Sequence, residues 1–193
     1  MLDNLHSKNI ILASKSPRRQ ELLKGLDIEF TVQTRDIDES YPADMIPEDI
    51  PEFLALKKAH GFQDIIEENT ILITSDTIVI LENKVLEKPK TELQAKKMIK
   101  KLSNATHIVV TGVCIKTKDE TIAFSDHTVV KFMPLTDAEI EYYVQKYKPF
   151  DKAGAYGVQE WIGYIGIERL EGSYYNVMGL PVHKVYQALA QIQ

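Results

Sequence analysis

The chain has 193 residues, 44% hydrophobic and 26% charged, with nine glycines and eight prolines, which is the balance of an ordinary packed protein and excludes a disordered or fibrous one. A formal net charge of -5 excludes broad binding to nucleic acid or an anionic membrane, yet leaves room for a small anion held by a local cationic cluster. The single cysteine, Cys114, excludes an internal disulfide and reads as a buried thiol in a reducing compartment. An acid near the N-terminus argues against a signal peptide, and no apolar run reaches the roughly 18 to 20 residues of a membrane span, so a soluble cytoplasmic protein is expected.

In chain order, Asn9 to Ala13 is a short apolar strand that ends at Ser14. Ser16-Pro17 opens a helix, with Ser16 at the N-cap, Leu22, Leu23 and Leu26 as its apolar stripe, and Gly25 at its C-terminal end. A strand from Ile28 to Gln33 follows, then an acidic, proline-punctuated loop from Asp36 to Pro51. The next helix runs through Phe53, Leu54, Leu56, Ala59 and Phe62, with Lys57 and Lys58 beside its stripe.

Thr70 to Thr74 and Thr77 to Leu81 read as strand on either side of Ser75-Asp76, and Glu82-Asn83-Lys84 as a turn into Val85-Leu86. Leu93 to Leu102 is an amphipathic, lysine-rich helix. Thr106 to Lys116 and Thr121 to Met133 form a long antiparallel pair, after which Thr136 to Glu139 starts a helix with an acid in the capping-box position. A glycine-containing loop, Asp151 to Gln159, leads to a predicted strand, Trp161 to Leu170. A second loop, Gly172 to Gly179, precedes a terminal helix opened by Pro181, with Val185, Leu189 and Ile192 inward. No repeat or Gly/Ser linker divides the chain, so residues 1–193 are expected to form a single domain of two interleaved lobes on a mixed sheet.

Five groups of residues have chemical potential. Ser14, Arg18 and Arg19 stand at a strand-to-helix junction, where free N–H groups, the helix dipole and two guanidinium groups suit a phosphate chain; a capped helix with solvated arginines explains them equally well. Asp76 interrupts two strongly apolar runs, and a carboxylate there is costly unless it is paired or bound to a metal ion. Asp36, Asp38 and Glu39 offer a second carboxylate, or are simply solvated. Lys58 and Lys88 suit phosphate oxygens, or are plain surface lysines. The glycines of Asp151 to Gln159 fit an ordinary turn, but a turn does not explain Asp151, Lys152 and Gln159.

No phosphate-binding loop ending in Gly-Lys-Ser/Thr is present, no dinucleotide glycine motif, and no Cys/His cluster spaced for zinc; His6, His60, His107, His127 and His183 are scattered.

The ordered set ILASKSPRRQELL, SDTIVI, LEKP, TGV, DKAGAYGVQ and GSYYNVMGLP resembles the Maf family of nucleoside triphosphate pyrophosphatases from Ile10 to the terminal helix. The resemblance implies an elongated α/β fold, with a central mixed sheet flanked by helices and two lobes around a nucleotide cleft, and it implies a homodimer. It also implies hydrolysis between the α- and β-phosphates with Mg²⁺ or Mn²⁺. Asp76 takes the place of the family's catalytic base or metal ligand. Ser14, Arg18 and Arg19 stand for its phosphate ligands, and Lys58, Lys88 and Glu39 for its basic and acidic pocket residues, Glu39 with Asp76 on the metal.

The dTTP and UTP subgroup has Arg, Thr and Gln at three selective positions, matched here by Arg18, Thr77 and Gln159, whereas a related subgroup preferring 7-methyl-GTP has Trp where Arg18 stands. The Gln159 amide is suited to the edge of uracil or thymine. Two rival readings exist. A phosphomonoesterase with Asp76 as nucleophile lacks the second aspartate two residues on, since Ile78 stands there. A nucleotide-binding, non-enzymatic regulator of septum formation is the other.

Overall fold

A computed structural model describes residues 2–192. Its seven strands form an α/β fold around a mixed sheet ordered β2-β1-β3-β5-β6-β7, with β4 added on β3. β1 (Asn9–Leu12) pairs in parallel with β2 (Thr31–Val32) and with β3 (Thr70–Leu81). β3 pairs antiparallel with β4 (Lys84–Leu86), and β6 (Thr121–Phe132) with β7 (Ile167–Glu171); β5 spans Thr106–Lys116. The helices are α1 (Pro17–Lys24), α2 (Ile50–His60), α3 (Glu92–Leu102), α4 (Asp137–Tyr147), α5 (Trp161–Gly166), α6 (Tyr174–Met178) and α7 (Val182–Leu189).

The described chain divides into two compact units. One comprises residues up to Asp76, Thr111–Asp126 and the segment from Gly179 onward; the other comprises Thr77–Val110 and His127–Met178. In the first, Ile11, Ala55, Ala59, Phe62, Leu72 and Cys114 pack together, joining β1, β3, β5 and α2. Cys114 is fully buried, and burial pushes its thiol up to about 11, so it is a packing residue. Gly112 explains how α2 comes to lie against β5: a Cβ there would stand 2.2 Å from the Pro51 carbonyl carbon and the Glu52 amide nitrogen. The close approach of helix to strand therefore requires glycine.

In the second unit the core gathers Val79, Ile99, Leu102, Val130, Phe132, Tyr143 and Ile162 among others. The turn between β3 and β4 has just two central residues, Glu82 and Asn83, at φ 50° and 60°. Two positive φ values are those of the turn whose twist matches a two-residue hairpin. α4 begins in a complete capping box: the Thr136 hydroxyl accepts from the Glu139 N–H at 3.2 Å, and the Glu139 carboxylate accepts from the Thr136 N–H at 2.7 Å.

The structure departs from the sequence expectations in several places. The predicted strand from Trp161 to Leu170 is a helix followed by a strand: α5 occupies its first six residues and β7 starts only at Ile167. Gly163 is pressed against the preceding loop, where an added Cβ would lie 1.9 Å from the Val158 carbonyl oxygen, and a short apolar run has no periodicity that separates helix from strand. β3 is continuous through Ser75 and Asp76 instead of broken there. The strand expected from Ile28 to Gln33 shrinks to Thr31–Val32, and the second glycine-containing loop holds α6. Ser16 is the N-cap of α1 without a capping bond from its hydroxyl, and Gly25 closes the helix in an ordinary helical conformation, the positive φ of 55° falling on Asp27. Ile192 is buried but lies beyond the end of α7.

Candidate active site

The first unit gathers most of the candidate residues. β1 carries the chain to Ser14, which is buried; the Ser14 hydroxyl accepts from the Ser16 N–H at 3.2 Å, just ahead of α1. In parallel register with β1, β3 matches Leu12 to Ile73, and the Ala13 N–H donates to the Ile73 carbonyl at 2.8 Å. The end of β1 thus lies beside the part of β3 that leads to Asp76.

Asp76 is 8% exposed. Its Oδ1 receives the Lys58 ammonium at 2.6 Å, and the same Nζ lies 2.8 Å from Glu39 Oε1. Lys58 reaches both carboxylates from the last turn of α2. The position of α2 is fixed by Gly112 and by the Thr74 hydroxyl, which donates to the Ala55 carbonyl at 2.7 Å. One lysine between two carboxylates explains why β3 carries a charged residue without breaking: the charge is paired and hydrogen-bonded where it is buried.

The acidic loop is resolved residue by residue. Asp38 is taken by the neighbouring Lys57, whose Nζ lies 2.8 Å away; that bond and two from Ser40 hold the Asp38 carboxyl down at about 2. Glu39, not Asp38, shares Lys58 with Asp76.

Arg19 projects from α1 into the same unit. Its Nε donates to the Gly179 carbonyl at 2.8 Å and its Nη1 to the Ser75 carbonyl at 2.9 Å. Burial is the strongest influence on this guanidinium and acts against its charge, as does Arg18; Asp76 and Glu39 act in its favour. Arg19 is therefore both a cation within reach of the two carboxylates and a clamp that ties α1 to the residue before Asp76 and to the start of the C-terminal segment.

Three further candidates belong to the second unit. Thr77 follows Asp76 on β3 and is half-buried, while Lys88 is exposed in the segment after β4. Gln159 ends the glycine-containing loop, and its Oε1 is buried with no hydrogen-bond partner. An acceptor shut away from water without a donor is costly, and it marks a place where an N–H group from a ligand would be welcome. The sequence reading missed the partners that hold this loop, chiefly Glu160 and Tyr143. Lys152, which the sequence does single out, pairs with Glu160 at 3.0 Å.

Among the described residues no group of three or more His, Cys, Asp or Glu is gathered to hold a metal ion. The donor set nevertheless fits a hard divalent cation: two carboxylates already converge on one positive charge at Lys58, and Mg²⁺ commonly takes one or two carboxylates, with waters and substrate phosphates completing its shell. Also among the described residues, no helix is long and apolar enough to cross a membrane.

Such a site, with two carboxylates and the cationic side chains of Lys58 and Arg19 near a strand-to-helix junction, suits the handling of phosphate. Residues 9–192 match the family described as Maf-like protein, and the chain belongs to that family. It is similar to the dTTP/UTP pyrophosphatase of Porphyromonas gingivalis, 53% identical over 192 residues that cover 98% of this chain and 96% of that protein. The dTTP/UTP pyrophosphatase of Parabacteroides distasonis is 52% identical over 190 residues, 98% of each chain. Among solved structures, the nucleoside-triphosphatase / dITP/XTP pyrophosphatase of Mycobacterium abscessus gives a TM-score of 0.47 at 14% identity, over 94% of this chain and 92% of that one.

Proposed function

We propose that this protein hydrolyses dTTP and UTP to the nucleoside monophosphate and pyrophosphate, a reaction that removes these triphosphates from the nucleotide pool. The observation that carries the reading is the group formed by the buried Asp76 with Lys58 and the more exposed Glu39, set in a chain alike over nearly its whole length to dTTP/UTP pyrophosphatases. Asp76 and Glu39 would hold Mg²⁺ or Mn²⁺, which when bound supplies positive charge at the α-phosphate.

In this reading Asp76 accepts the proton of the attacking water as the oxygen bonds to the α-phosphorus and the bond to the bridging oxygen breaks. Lys58 keeps the Asp76 carboxylate oriented. Ser14, Arg18, Arg19 and Lys88 bind the phosphates, and the cations offset the charge that develops on the departing pyrophosphate.

For the base, the buried acceptor of Gln159 supports a uracil or thymine edge. N3–H of either base donates to such an oxygen, whereas cytosine presents an unprotonated N3. Arg18 and Thr77 complete the selective set. A homodimer and a cytoplasmic location are further parts of the same reading, and the mass of the protein in solution tests the first.

The decisive assay incubates the purified protein with standard and modified nucleoside triphosphates and Mg²⁺ or Mn²⁺, separating monophosphate, diphosphate, pyrophosphate and phosphate. Monophosphate and pyrophosphate in equal amounts from dTTP and UTP are expected. Release of inorganic phosphate alone, or no turnover of either nucleotide, would sink the reading.

A further inference from the structure

Within the loop from Asp151 to Gln159, the turn itself has no need of a buried lysine, yet Lys152 is 8% exposed. Its Nζ lies 2.8 Å from Asp151 Oδ1 and 3.0 Å from Glu160 Oε1. The other Glu160 oxygen, Oε2, accepts the hydroxyl proton of Tyr143, a fully buried side chain on α4. The same hydroxyl oxygen accepts the Gly157 N–H at 3.0 Å. Lys152, Glu160, Tyr143 and Gly157 thus form one chain of polar contacts that ties the beginning of the loop to its end.

The arrangement leaves little freedom. A phenol has one proton, here given to Glu160, so the N–H of Gly157 must meet a lone pair. Gly157 lets the carboxylate approach bare backbone, since a Cβ there would stand 2.8 Å from Glu160 Cδ. Burial and the neighbouring Glu160 both push the Tyr143 hydroxyl up, so it stays protonated and keeps donating. A buried ion pair is seldom a strong source of stability, because desolvation offsets much of its attraction. Its clearest physical effect here is to fix the backbone at Glu160, directly after Gln159.

We propose that Glu160, held by Tyr143 and Lys152, is a positioning residue for base selection: it sets Gln159 so that its buried oxygen meets the N3–H of uracil or thymine and disfavours cytosine. This rests on the base-reading role of Gln159 given under Proposed function. Selectivity between pyrimidines then depends on a phenol hydroxyl that itself touches no substrate.

The test is Tyr143→Phe, which keeps the ring and its packing and removes the hydroxyl. kcat and KM are measured for UTP and CTP beside Gln159→Ala and Ile99→Ala, the last a stability control in the same core. Tyr143→Phe is expected to lower the UTP-to-CTP ratio of kcat/KM by at least about tenfold, mainly through the KM for UTP. Ile99→Ala should keep the wild-type ratio despite a comparable or larger loss of thermal stability. Should Tyr143→Phe fail to fold, Glu160→Gln carries the same expectation.

A ratio within about twofold of wild type in Tyr143→Phe, with a collapsed ratio in Gln159→Ala, overturns the positioning role alone. An unchanged ratio in Gln159→Ala removes the base-reading role and this proposal with it. An equal fall in Ile99→Ala would show general loosening of the core, and would also overturn it.

Discussion

The ammonium of Lys58 lies 2.6 Å from an oxygen of Asp76 and 2.8 Å from one of Glu39, so one cation on a helix fixes a strand carboxylate and a loop carboxylate at once. Replacing Asp76 by Asn keeps its shape and leaves Lys58 with Glu39 as a charged partner. Asp76→Asn is therefore expected to cost about 1–3 kcal/mol of stability and to stay folded. Its kcat should fall at least about a thousandfold, through loss of the proton acceptor and of charge at the site. Circular dichroism with a turnover assay checks both; near-normal turnover in a folded variant would remove Asp76 from the chemistry.

Adjacent acids on the same loop should behave differently. Asp38 is committed to Lys57 and Ser40, and Glu39 to Lys58. Asp38→Asn should leave kcat/KM within about twofold, while Glu39→Gln should lower it by about tenfold or more and raise the metal concentration for half-maximal rate. Metal titrations of the two variants side by side decide it. Equal sensitivity would mean that the pairing with Lys58 has no bearing on activity.

Gly112 is the position where a single methyl group should do most structural harm. The added carbon has no flexible side chain to displace, only the backbone of Pro51 and Glu52. Gly112→Ala should destabilise by about 3 kcal/mol or more, by forcing α2 away from β5 and Lys58 with it. Urea unfolding gives the value; a loss under about 1 kcal/mol would show that the helix shifts at little cost.

His107 provides a pH signature. It is buried, its Nε2 lies 2.7 Å from the Tyr156 hydroxyl, and its Nδ1 has no partner; burial carries the imidazole from its ordinary 6.5 down to about 4. The folded state keeps this group neutral while the unfolded chain protonates near pH 6.5, so unfolding takes up a proton between the two values. Its contribution is fully present above pH 6.5 and is lost as pH falls toward 4, a change of about 3 kcal/mol over the window. Denaturant unfolding at pH 7 and pH 4.5 checks the slope, which His107→Phe should flatten.

In the first unit, residue types mark candidates but not their partners. The aspartate inside an apolar strand is an anomaly that ordinary packing does not require, whereas a serine and two arginines at a strand-to-helix junction also fit a plain capped helix. The pairing was not readable, since nothing in the spacing says that Lys58 and not Lys57 reaches Asp76, or that Glu39 and not Asp38 joins it. Those choices are made by the direction of α2, which depends on a contact with Gly112 far away in sequence. Trp161 to Leu170 failed for a different reason: six apolar residues satisfy either period, and the helix there is set by the approach of Gly163 to Val158. Lys152 and Gln159 stood out as unexplained, but the phenol that organises them, Tyr143, sits on α4, outside that loop.

β3, β5 and β6 each contain a crossing from one compact unit to the other, between Asp76 and Thr77, Val110 and Thr111, and Asp126 and His127. Neither half is a contiguous stretch of polypeptide, so no single cut liberates one intact, and a fragment ending at any of these junctions keeps severed strands with unpaired edges. Nascent chain leaving the ribosome must hold an incomplete first unit until the segment from Gly179 arrives. Arg19 then gains the carbonyl that completes its clamp, so closure of this unit waits for a residue 160 positions further along the chain.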